Sequence, residues 1–262
     1  IFGGAGFGIF ISNSSRNTIA GNDCSYSNGM GGYGLYITSS SDENTIMNNI
    51  CRGNRDLGID IYSSNLNIIT NNNLSSNYEG GLHLYSSSRN TITYNNISDS
   101  YWNGIGLSDG SSFNCIHHNN FVNYDIGGNR PYDWGTANFW NTSTEGNYWS
   151  DWTSPDANSD GIVDSPYVLN GSAGAKDYYP LVNPVPNAGA GKVNQPPVAC
   201  IYSIAPNPAF RGQTIAFTGR GVDGDGTVVE YNWTSSIDGK LNTSSSFSTS
   251  SLNLRLNSTA NA

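Results

Sequence analysis

Gly58-Ile59-Asp60-Ile61, followed nine residues on by Asn67-Ile68-Ile69-Thr70-Asn71-Asn72, is one copy of a repeat that decides how this chain folds. The first signature recurs as Gly8-Ile9-Phe10-Ile11, Gly34-Leu35-Tyr36-Ile37, Gly81-Leu82-His83-Leu84 and Gly104-Ile105-Gly106-Leu107. The second recurs as Asn17-Thr18-Ile19, Asn44-Thr45-Ile46, Asn90-Thr91-Ile92 and Asn114-Cys115-Ile116. The period is about 23 residues, longer in the first turn. A fixed period of that size marks a stacked array in which each unit completes its core on its neighbours.

Within each Gly-x-x-x strand, alternate side chains face opposite ways. Ile59 and Ile61 are expected inside and Asp60 outside, with Leu82, Leu84 and His83 as their copies. Ile19, Ile46, Ile69, Ile92 and Ile116 form a second inward column, and the leading Gly is read as a corner of positive φ. Asn22, Asn49, Asn72, Asn95 and Asn119 occupy another corner. They are read as a ladder of amides, each bonded to the next turn, with a left-handed backbone that Asn tolerates.

Composition agrees with an ordered, polar β protein. Only 12% of the 262 residues are charged while 12% are aromatic, and the net charge is −9. No basic cluster gives a nucleic-acid footprint, and no apolar run has the length of a membrane span. Cys24, Cys51, Cys115 and Cys200 form no CxxC pair. Cys24 and Cys51 fall at one position of consecutive turns, roughly 4.8 Å apart, within disulfide reach. Leu74, Ile97 and Phe121 fill that position later, which favours buried thiols over a bridge. Sequons at Asn13, Asn73, Asn96, Asn141, Asn170, Asn232, Asn242 and Asn257 suit a secreted glycoprotein.

The recurrent Asn-x-Ile-x-x-Asn spacing resembles the right-handed parallel β-helix repeat. Beyond it, Asn138-Phe139-Trp140, Gly146-Asn147-Tyr148-Trp149-Ser150-Asp151-Trp152 and Asp177-Tyr178-Tyr179-Pro180-Leu181 resemble the carboxy-terminal end of NosD-like β-helix proteins. Trp140, Trp149, Trp152, Tyr167 and Tyr179 are expected to cover the open end of the helix. The resemblance is not taken to imply copper: with two Met and three His, no copper is expected. Asp156, Asn158, Asp160 and Asp164 have the alternating oxygens of a calcium loop, with Tyr167 where an EF-hand carries Glu. A structural Ca2+ is one reading and an acidic turn the other.

Pro184 to Pro197 reads as a linker. The following residues, with Gly221-Val222-Asp223-Gly224-Asp225-Gly226 and Tyr231-Asn232-Trp233, resemble a PKD domain, an immunoglobulin-like β-sandwich found in archaeal surface proteins. The expected organisation is therefore all-β: a parallel β-helix over 1–183, a linker over 184–197 and an incomplete PKD-like sandwich over 198–262.

Two functions fit. The first is an extracellular or cell-surface structural and adhesive protein. It would assemble with other protomers or surface proteins through a β-helix open at Ile1-Phe2-Gly3-Gly4 and a sandwich whose last strand is Ser251–Leu256. The second is a carbohydrate-binding or carbohydrate-active protein. Its site would be Tyr36, Asp60, Tyr62, His83 and Tyr85 on the outer face. No basic residue and no second carboxylate joins Asp60 in that column, so the face is read for binding and no catalytic residue is assigned.

Overall fold

The computed structural model describes residues 6–124, 127, 130–190, 194, 196–223 and 226–253. The chain divides into two compact units, Ile1–Gln195 and Pro196–Ala262.

The first unit is a parallel β-helix of three sheets. One contains Ile9–Ser12, Leu35–Thr38, Leu57–Tyr62, Gly80–Tyr85, Asn103–Ser108 and Tyr132–Asp133. The second contains Thr18–Ala20, Thr45–Met47, Ile68–Thr70, Thr91–Thr93 and Cys115–His117. The third contains Ile50–Arg52, Asn73–Ser75, Asn96–Ser98, Asn120–Val122 and Tyr148–Trp149. Each strand pairs in parallel with its own copy one turn away, so Ile46 lies against Ile69 and Ile69 against Ile92. The repeat sets this register: a slip of one residue would turn each aliphatic column out to solvent. Leu35, Ile59, Leu82 and Ile105, with Ile46, Ile69, Ile92 and Ile116, are fully buried. Each contributes about 2 kcal/mol of burial.

The polar corners are ladders in which each Asn Oδ1 accepts the backbone N–H of the matching Asn one turn earlier. One runs Asn22, Asn49, Asn72, Asn95, Asn119, Asn147 at 2.9–3.1 Å. It ends where Asn147 N donates to Asp177 Oδ2 at 2.7 Å. The other runs Asn17, Asn44, Asn67, Asn90, Asn114, Asn138 at 2.8–2.9 Å. It ends where Asn138 Nδ2 donates to Asp133. A carboxylate suits the last rung because it only accepts, leaving no amide N–H to be satisfied beyond it.

Two local expectations are corrected. The left-handed residue is not the ladder Asn but the one before it: Asn48, Asn71, Tyr94 and His118 have φ of 56–57°. That residue turns the chain so that the next amide points inward. Gly8, Gly34, Gly58, Gly81 and Gly104 are not left-handed either. They are required by close approach, since a Cβ on Gly58 would lie 2.6 Å from the Gly81 carbonyl oxygen and one on Gly81 2.3 Å from Ile97 Cγ2.

Aromatic side chains cover the far end. Trp149 is fully buried between Phe121 and Tyr167, with ring centroids 4.2 and 4.0 Å away. Trp140 and Trp152 pack around this stack. Tyr179 does not join it; it is 38% exposed. The beginning of the stretch read as a linker lies on the β-helix: Val185 N donates to Asn120 Oδ1 at 2.7 Å and Gly189 N to the Tyr94 carbonyl at 2.9 Å.

The second unit holds antiparallel sheets. One contains Val198–Ala205, Ile215–Val222 and Ser246–Thr249; the other pairs Trp233–Ser235 with Gly239–Asn242. Residues 1–4, Gly224, Asp225 and 254–262, on which the open-edge and PKD readings partly rest, lie outside the described residues.

Candidate functional site

The first sheet places Tyr36, Asp60, His83, Gly106 and Tyr132 in one outward column and Tyr62, Tyr85 and Ser108 in the next. Asp60 points outward as its strand phase requires, yet it is only 5% exposed. His83 Nδ1 lies 3.0 Å from Asp60 Oδ1, and His83 Nε2 lies 2.9 Å from Ser108 Oγ. The carboxylate can only accept, so Nδ1 carries the proton and Nε2 presents its lone pair to the serine hydroxyl. Asp60, His83 and Ser108 therefore form one directed chain across three successive turns.

Aromatic rings flank this chain. Tyr62 and Tyr85 stack face to face, with centroids 4.6 Å apart and planes 3° from parallel. Tyr132 and Trp134 pack against each other on the other side, tilted by 31° with centroids 4.6 Å apart. Gly106 makes that possible: a Cβ there would fall 2.3 Å from the Tyr132 ring. Tyr33, Tyr36, Phe7 and Phe10 extend the aromatic surface towards the first turn. The sequence-derived residues Tyr36, Asp60, Tyr62, His83 and Tyr85 thus share one face. Ser108, Tyr132 and Trp134 were missed. Ser108 was legible as the third member of the Tyr62, Tyr85 column, whereas Tyr132 lies past the regular repeats.

The field over this face is negative. Burial, followed by Asp60, Asp56 and Glu79, pushes the Tyr33 hydroxyl up to about 12. Burial and then Asp56 and Asp60 raise the Glu79 carboxyl, against His83 and Arg55. Tyr132 is raised by burial and then by Asp60 and Asp109, and Tyr85 by its hydrogen bond to Asp109.

The Asp156 loop uses its oxygens internally. Asp156 accepts from Asp160 N and Gly161 N, Asp160 Oδ1 from Ile162 N, and Asp164 Oδ2 from Ala157 N; Asn158 donates to Asp160. Among the described residues no group of three or more His, Cys, Asp or Glu is placed to hold a metal ion.

Elsewhere, His117 is buried and its Nδ1 lies 2.7 Å from His118 Nδ1, while His118 Nε2 lies 2.8 Å from Glu145 Oε2. Glu145 fixes the proton on His118 Nε2, so His117 Nδ1 donates to His118 and His117 Nε2 keeps a bare lone pair. That Nε2 has no hydrogen-bond partner. Cys24 and Cys51 are buried free thiols, hydrogen-bonded to each other on neighbouring turns. Their pairing lowers the Cys24 thiol and, with burial, raises that of Cys51.

A family model described as periplasmic copper-binding protein (NosD) matches residues 2–154, more than half of the chain. No curated protein and no solved structure matches significantly. The family description contradicts the expectation that no copper is involved. Among the donors of a type copper accepts, two pairs lie side by side: the Cys24–Cys51 thiols and the His117–His118 imidazoles. The described residues do not build a closed copper site around either pair.

Proposed function

The chain belongs to the NosD family of extracytoplasmic β-helix proteins, and from that premise we propose that it works at the cell surface by binding neutral glycans on the outer face of its first sheet. The observation that carries this reading is the Tyr62–Tyr85 stack, with an outer ring face at each end, beside the hydrogen-bonded Asp60–His83 pair. Aromatic faces take the apolar faces of sugar rings, and buried polar groups orient hydroxyls. The negative field of Asp56, Asp60, Glu79 and Asp109 opposes uronates and favours uncharged sugars.

Among the described residues no helix is long and apolar enough to cross a membrane. The second unit is read as PKD-like, supported by Trp233 packing near Phe217 and Phe247 at 5.9 and 5.4 Å. In that setting it is a spacer or adhesive module carrying the β-helix.

A glycan array followed by titration tests the reading. Neutral oligosaccharides are expected to bind and polyuronates to fail. Tyr85→Ala is expected to weaken binding about tenfold, the scale of one aromatic contact. A preference for uronates, or binding indifferent to Tyr62 and Tyr85, would count against it.

A further inference from the structure

We infer that Asp60, His83 and Ser108 form a serine-hydrolase triad that removes small acyl groups from neutral hydroxylated substrates. The inference rests on the glycan reading only for the nature of the alcohol. The acyl chemistry rests on the three side chains themselves.

A serine hydroxyl becomes a useful nucleophile when a neutral imidazole accepts its proton and a carboxylate holds that imidazole in the right tautomer. Both bonds are in place: Ser108 Oγ to His83 Nε2 at 2.9 Å and His83 Nδ1 to Asp60 Oδ1 at 3.0 Å. The fold explains the convergence. Asp60 and His83 are in-register neighbours on adjacent strands. The next in-register residue, Gly106, has no side chain, so His83 turns along the strand to Ser108, the neighbour of Tyr85.

Burial follows the roles. Asp60 is buried and its side chain is 8% exposed, whereas the His83 side chain is 19% exposed. Ser108 is only 7% exposed and pairs with Tyr85, so a small acyl group such as acetyl is the class proposed to reach it. The Tyr62–Tyr85 stack offers a ring face for the alcohol portion, and the negative field again disfavours an anionic one.

The reaction balances with water as the only co-reactant. Ser108 Oγ attacks the ester carbon while its proton passes to His83 Nε2. The carbon–oxygen bond to the sugar breaks, and the departing alkoxide takes that proton. Water then attacks the acyl-serine through the same imidazole, releasing the carboxylic acid and restoring Ser108. Asp60 is a positioning residue: it touches neither substrate nor reacting atoms.

The test uses the full chain with p-nitrophenyl acetate, O-acetylated neutral oligosaccharides and a fluorophosphonate probe. Acetate release and a phosphonyl adduct on the Ser108 peptide are expected, both abolished in Ser108→Ala. His83→Gln is expected to lower turnover about 100-fold or more. Asp60→Asn is expected to lower kcat with little change in KM while its melting curve stays that of the wild type, which separates lost positioning from lost folding. Melting curves and retained glycan binding show that Ser108→Ala is folded. Glycan binding by the wild type without adduct or acetate release overturns the hydrolase inference and leaves the binding reading standing. Turnover through Ser108 without glycan binding supports the hydrolase and removes the glycan reading. An adduct on a different serine overturns the assignment of the nucleophile.

Discussion

Asn95→Ala is expected to lower the unfolding free energy by about 4 kcal/mol. Asn95 is fully buried, and its side chain serves three turns at once. Its Oδ1 accepts Asn72 N and Asn72 Nδ2, both at 2.9 Å. Its Nδ2 donates to the carbonyls of Ile69 and Thr93 and to Asn119 Oδ1 at 2.9–3.1 Å. Alanine removes all of these and leaves Asn72 N–H and a buried carbonyl without replacement, each worth roughly 1–3 kcal/mol when orphaned. At the start of the same ladder Asn22 is only half-buried and only donates, to Asn49 Oδ1 and the Ala20 carbonyl. Asn22→Ala is therefore expected to cost about 1 kcal/mol or less. Denaturant titration of the two variants checks the contrast. Equal losses would show that the ladder is not the cooperative element described here.

Acid is expected to remove a second large share of stability through His117. Burial, and then the neighbouring His118, depress this imidazole from its ordinary 6.5 to about 3. Between those values the unfolded chain holds the extra proton and the folded one does not, so stability rises with pH. The contribution is complete above about pH 6.5 and is lost as pH falls towards 3, on the order of 4 kcal/mol in all. Asp177 acts in the opposite sense. Burial pushes its carboxyl from 3.8 up to about 6, although four N–H donors pull it down. The folded state then holds the extra proton, so this contribution falls as pH rises from about 4 to about 6. The two slopes offset one another in that window, and the His117 loss stands alone below it. His117→Leu is expected to resist acid more than the wild type, with the gap opening as pH falls below about 6.5 and widening towards pH 3, because Asp177 is common to both proteins. Fluorescence-monitored unfolding across pH measures it, and parallel curves would contradict the assignment.

Much of the fold was legible because a β-helix writes its architecture once per turn. Ile46, Ile69 and Ile92 lie at one spacing in the sequence and in one column in the structure. The Asn72, Asn95 and Asn119 ladder was legible for the same reason. Features that break the period were harder to read. Asp133 and Asp177 end the two ladders, but a single terminal residue leaves no recurrence to detect. Tyr179 has the composition of a cover and the exposure of a surface residue, because aromatic content alone does not say which ring the chain turns inward. Pro184–Ala190 has a linker's composition, yet its backbone hydrogen-bonds to Asn71, Tyr94 and Asn120, which the sequence does not announce.

The site was half legible. Strand alternation placed Asp60 and His83 side by side, and the structure bonds them. The column of Ser108 was legible from Tyr62 and Tyr85, but its bond to His83 was not, because the two are offset by two residues along adjacent strands. Only the missing side chain of Gly106 explains why the imidazole reaches diagonally. The NosD resemblance was legible in the sequence, but counting Met and His ligands led away from the copper that the family description carries.

The central claim is that Asp60, His83 and Ser108 are wired in one direction. Long-range proton–nitrogen NMR of the imidazoles tests it most directly, since the chain has only three histidines to assign. The expected spectrum shows His83 protonated on Nδ1, with an Nε2 resonance that shifts in Ser108→Ala as the hydroxyl donor is lost. A His83 protonated on Nε2, or one unmoved by Ser108→Ala, would contradict the account.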